Sequence, residues 1–252
     1  MRSPAAAALL AWIAAAPVLG AQSLRVSTWA SYDAVTASDD WTAYGAQLTW
    51  ANANGHAVWG NVELVSRFGL HDGTEKIGGV LHPAPRWWFT LEAGTALGPE
   101  VVPKNSWELD ATALATRHAS PGLSYRRQNY VPGPVDMVIP HVLLQLGKLT
   151  WDARVFLSRN PSDRTDGAFL LRVTAPLSRR AAGWIGGAAG RESYLVGAPP
   201  AQAVRSLRTV TGIAGVRVNL AHGFTVRIDV TVINSKPVLS RRGISLGAER
   251  QL

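Results

Sequence analysis

Cysteine is absent from all 252 residues. That excludes disulfides, thiolate metal sites, a cysteine nucleophile and the acylated cysteine of a lipoprotein. Charge is sparse as well: 17% of residues are charged and 47% are apolar, whereas a soluble domain usually gives about a quarter to charge. Long hydrophobic runs are also missing. Beyond the first 21 residues nothing approaches the roughly 20 apolar residues of a membrane-spanning helix. The formal charge is +8, with a pI near 10.4. Even so, no Lys/Arg block or basic–aromatic interleaving appears, and nucleic acid is not an expected partner.

The first 21 residues differ from the rest. Arg2 gives a positive start, Ala5 to Val18 form an apolar stretch, and Leu19-Gly20-Ala21 offers small residues before Gln22. This reads as a secretory signal peptide over 1–21, leaving 22–252 as one β-barrel domain.

From Ser23 onward the period is two. Phe224, Val226, Ile228, Val230 and Val232 alternate with Thr225, Arg227, Asp229 and Thr231. A strand sends successive side chains to opposite faces, so this segment has one apolar and one charged face. Leu149–Ser158, Trp107–Thr116 and Tyr44–Trp50 repeat the pattern. Fourteen such segments fall near 24–33, 40–52, 57–68, 73–83, 86–97, 106–117, 122–131, 135–146, 149–159, 167–178, 182–192, 205–220, 223–233 and 238–252. The segment at 122–131 is interrupted by Arg126, Arg127 and Gln128, and dropping a hairpin there would give twelve. Strands of soluble proteins cluster near five or six residues, while a tilted membrane crossing takes about 9 to 11. The connections suggest alternation between short turns and longer loops such as Gly98–Asn105 and Ser193–Val204, as in barrels with short periplasmic turns. An open edge in hydrocarbon would leave unpaired amides, so first and last segments are expected to meet. The fold class is therefore all-β: a single antiparallel transmembrane β-barrel in the cell outer membrane, surrounded by lipid and lipopolysaccharide. Trp29, Trp41, Trp50, Trp59, Trp87, Trp88, Trp107, Trp151 and Trp184 suit an interfacial aromatic belt.

Arg67-Phe68-Gly69, Trp41–Trp50, Trp88–Thr95, Val101–Asp110, Gly122-Leu123-Ser124-Tyr125-Arg126 and Val142–Leu157 together resemble the YaiO-like outer-membrane β-barrel family over roughly residues 24 to 252. The resemblance implies an integral barrel, sometimes joined to periplasmic tetratricopeptide repeats, and related barrels look like exit pores for exopolysaccharide. No such repeat is visible here, and Leu252 stands where outer-membrane proteins usually end in an aromatic. Expected partners are the barrel assembly machinery and, in addition, a periplasmic repeat protein or envelope polysaccharide.

Alternation assigns Asn61, Glu63, Arg67, Glu92, Glu108, Asp110, His141, Gln145, Asp152, Arg154, Arg172, Arg191, Arg217, Arg227, Asp229 and Glu249 to the lumen. Charges there avoid lipid, pair with one another and line any water path. Two readings follow: a structural network, or an arginine-rich channel favouring small anionic or saccharide solutes. An outer-membrane barrel enzyme acting on lipid or envelope glycan is the rival class, and a triad would need base and nucleophile in hydrogen-bond reach. His118 with Ser120 and Ser124 comes nearest, and no catalytic, metal or cofactor site is expected. Asn160–Asp166 lacks the glycine and terminal glutamate of a calcium loop and reads as a solvated turn. A soluble periplasmic β-sandwich carrier, with its apolar residues turned inward, is the third class.

Overall fold

A computed structural model describes residues 23–36, 38–161, 165–196, 203–236 and 239–252, and their side chains except at 192–206 and 236. The expected signal peptide lies outside the described residues. Fourteen antiparallel strands follow one another: β1 (Ser23–Val35), β2 (Trp41–Ala51), β3 (Ala57–Arg67), β4 (Leu70–Ala84), β5 (Trp87–Leu97), β6 (Asn105–Ala113) and β7 (Ala119–Tyr130). The second half comprises β8 (Gly133–Leu146), β9 (Leu149–Arg159), β10 (Thr165–Pro176), β11 (Ala181–Val196), β12 (Ala203–Asn219), β13 (Phe224–Lys236) and β14 (Leu239–Gln251). Each pairs with its sequence neighbours, and β1 pairs with β14 from Arg25↔Gln251 to Val35↔Arg241. The sheet is a closed barrel. Closure gives every strand two partners, the condition for carrying backbone amides through hydrocarbon.

The two faces are opposite in chemistry. Trp29 on β1 donates its indole N–H to Glu63 on β3 at 3.2 Å, reaching across β2. Arg67 of β3 and Tyr130 of β7 line one cavity. Side chains of such distant strands meet only on the concave side, which fixes the inner face. On the outer face, Leu64, Ile185 and Val210 are 59%, 67% and 56% exposed, as are many apolar neighbours in register with them. A water-soluble particle of this size does not display such a continuous band. The chain is a multi-pass outer-membrane β-barrel, not a sandwich with an oily centre.

The weak segment at 122–131 is β7, and the strand number is fourteen. Its two adjacent arginines part by alternation: Arg126 turns inward to Glu108 at 2.6 Å, whereas Arg127 turns outward to Asp136 at 3.4 Å. Local pairing removes the conflict that the outer charge would otherwise create. Loop lengths segregate less sharply than the sequence suggests. Connections at the end holding residues 23 and 251, here the terminal rim, include 52–56 and 114–118 as well as two-residue turns. The opposite loop rim has the longer 98–104 and 197–202 but also the tight turn Phe68-Gly69. That turn has φ of 56° and 73° at its two central residues, as a type I′ hairpin requires.

Candidate functional site: the lumen and its two ends

The inner face is a lattice of opposite charges. Lys76 reaches Glu92 at 3.0 Å, and buried Asp152 holds Arg154 of its own strand at 2.9 Å and Arg172 of neighbouring β10 at 3.0 Å. Arg227 clasps Asp229 through two nitrogens at 2.6 and 3.0 Å and lies 4.8 Å over the Trp184 ring. Arg25 meets Glu249 at 3.3 Å. Strand register places Asn61 with Lys76, and Gln145 with Thr150, on the same face. Bidentate and doubly bridged pairs of this kind satisfy charges that lipid would not. Arg217 is different: among the described residues it has no carboxylate in ion-pair reach.

Arg191 does not belong to this lattice. It stands opposite Arg208 on the outer face, because Trp184 of the same strand is inward and sets the phase. Residues 185–190 are Ile-Gly-Gly-Ala-Ala-Gly, which carry little contrast to reveal that phase.

The interfacial-belt reading of the tryptophans also needs correction. Trp29, Trp59 and Trp184 lie flat on the lumen wall over Gly45, Gly78 and Gly215, their direct cross-strand partners. A Cβ at any of these glycines would fall within the indole. Trp41 is buried inside as well, flanked by the guanidinium groups of Arg67 and Arg241, each 5.0 Å from its ring. Outer-face positions near strand ends remain for Trp50, Trp87, Trp107 and Trp151.

The lumen narrows toward the loop rim. The connection 98–104 folds inward, where Val101 and Val102 pack on Val65 with Ala43, Phe68, Leu70 and Ala96 around them. Its anchor is Asp72, only 2% exposed. The carboxylate accepts backbone N–H groups from Glu100 at 3.0 Å, Val101 at 2.7 Å and Val102 at 2.8 Å. Charge-assisted bonds to three successive amides hold a loop far better than neutral ones. Neither Asp72 nor the two valines were candidate site residues, and 29 and 30 positions of sequence separate it from them, so no local motif announces the contact. Asn160 and Asp166 are also buried at this end, with Asn160 Nδ2 3.5 Å from Asp166, so those ends of the loop are not solvated.

Toward the terminal rim the lumen widens into a cavity of about 420 Å³. Ser27, Gln47, Arg217, Thr225, Arg227 and Ser245 are among its walls. The six connections of this rim (52–56, 85–86, 114–118, 147–148, 177–180 and 220–223) contain Arg86, Arg117, Lys148, Arg179 and Arg180 and no carboxylate. The mouth is positive.

No protein-family model and no curated protein matches the sequence. Solved structures do. A monoaromatic hydrocarbon channel, CymD, superposes with a TM-score of 0.63 at 7% identity, over 94% of this chain and 90% of its own. A structure described as a bacterial polysaccharide outer membrane secretin gives 0.56 at 8% identity, over 91% and 98%. A loop-deletion mutant of OmpT from Vibrio cholerae gives 0.52 at 10%, again over 91% and 98%. The chain shares the fold of these outer-membrane barrels.

Two of the residues weighed for catalysis, His118 and Ser124, are engaged elsewhere. His118 Nε2 accepts from Arg117 at 3.0 Å, while the Ser124 hydroxyl donates to Asp110 at 2.5 Å. Asp110 also receives Thr112 at 2.9 Å and faces His141 Nε2 at 3.5 Å. Here the carboxylate sits between serine and imidazole. A nucleophilic triad requires the imidazole in the middle, so this buried group ties β6, β7 and β8 together instead.

Proposed function

We propose that the barrel is a pore for small anionic or saccharide solutes, working as an export or scaffold component of the Gram-negative envelope and belonging to the YaiO-like family. The observation that carries the reading is Arg217, a cation with no carboxylate in ion-pair reach among the described residues, in a polar vestibule behind rim connections that hold five basic residues and no acidic one. A charged funnel with low-dielectric walls concentrates counter-ions at its entrance. The serine, threonine and glutamine side chains lining the vestibule offer donors and acceptors suited to hydroxyl-rich solutes. Fourteen strands leave room for a water path that eight would not. Solved barrels described as channels and as a polysaccharide secretin support a general pore role. With an even strand number, the terminal rim is assigned to the periplasm, where the barrel assembly machinery, a repeat protein or envelope polysaccharide would approach. Lipopolysaccharide surrounds the opposite rim in this orientation.

Planar-bilayer recording tests the proposal. The wild-type barrel is expected to conduct with a reversal potential favouring chloride over potassium, and oligogalacturonate added at the terminal-rim side should block it. Arg217→Gln should move the reversal potential toward zero without changing heat-modifiable migration. Cation preference, or a reversal potential indifferent to Arg217, would overturn the reading.

A further inference from the structure

The outer face carries a pair of like charges with no partner among the described residues. Arg191 of β11 and Arg208 of β12 are direct cross-strand neighbours, and both side chains are exposed. Cβ atoms so placed lie about 4.5–5.5 Å apart, and like charges there repel. No carboxylate relieves them among the described residues. An apposition of this kind is stable when an anion bridges the two guanidinium groups, and phosphate oxygens match their planar donor forks.

The ground below the pair has a shape of its own. One register step toward the membrane centre, Ala189 faces Val210; one further, Gly187 faces Gly212. This second row is bounded by Leu171 on β10 and Val232 on β13. A Cβ at Gly212 would meet nothing within 4 Å. Ala189, Gly187 and Gly212, with Leu171, Val210 and Val232 standing around them, leave a strip along which a hydrocarbon chain can lie. Above that strip stand the two arginines.

We propose that Arg191 and Arg208 form a binding site for the phosphorylated headgroup of a membrane lipid, with an acyl chain seated along the Gly187–Gly212 strip. The site lies on the outer surface and stands whether or not the lumen conducts. Two observations carry it independently: the unpaired charges and the depressed apolar row beneath them.

Native mass spectrometry of the folded full chain in detergent provides the test, with bisphosphorylated lipid A as probe. The wild type should retain one lipid A, while R191Q/R208Q should bind at least tenfold more weakly. Gly212→Val should weaken lipid A without altering the arginines. Lipid A stripped of phosphate should not be retained, and millimolar inorganic phosphate should not displace the intact lipid. Heat-modifiable migration establishes that each variant is folded; should the double variant fail, R208Q alone must show the loss. Equal retention by a folded arginine variant, equal retention of dephosphorylated lipid, or full displacement by inorganic phosphate would overturn the site.

Discussion

Single residues here do what their type alone would not announce. Glycine weakens a strand, yet Gly45, Gly78 and Gly215 each lie under an indole that covers the bare backbone. The close approach needs a missing Cβ. Gly45→Val should therefore lift Trp29 from the wall and break its bond to Glu63. A loss of about 1–3 kcal/mol is expected, as for other overpacked interiors, measurable by urea unfolding in lipid vesicles. The same substitution at Gly212, where a Cβ has open space, should leave stability nearly unchanged. On the outer face, Val230→Arg places a charge in the apolar band and should cost about 2–4 kcal/mol near the midplane, while Val230→Leu should be silent.

At the scale of the element, alternation made most strands readable before any coordinates. β13 shows why: each apolar residue from Val226 to Val232 is outward and each polar one inward. β11 shows the limit. Glycine and alanine fill most positions from 181 to 190, where Trp184 and Ile185 are the only large side chains, and an indole fits either oil or a lumen glycine. Arg191 was assigned to the lumen for want of that one fact. The inward fold of 98–104 was equally hidden, since its anchor lies on β4 and becomes a neighbour only when β4 pairs with β5. Asp72→Ala should leave the Glu100, Val101 and Val102 amides without their acceptor. Single-channel conductance should then rise and fluctuate more, provided the segment obstructs the path. Unchanged conductance would mean that the obstruction lies elsewhere.

For the whole molecule, charge is sorted by location. Opposite signs alternate within the lumen, while the excess of arginine sits at the terminal rim and at the upper edge of the oily band. Everything depends on one inversion relative to a soluble protein, with oil outside and charge within. The absence of native cysteine allows that inversion to be read residue by residue. Spin labels placed singly on cysteines introduced from Thr225 to Ile233 should alternate, in vesicles, between two relaxing agents. Labels at Val226, Ile228, Val230 and Val232 should meet membrane-dissolved oxygen; those at Arg227, Asp229 and Thr231 should meet an aqueous nickel chelate instead. The reverse phase, or no alternation at all, would contradict a lipid-facing barrel.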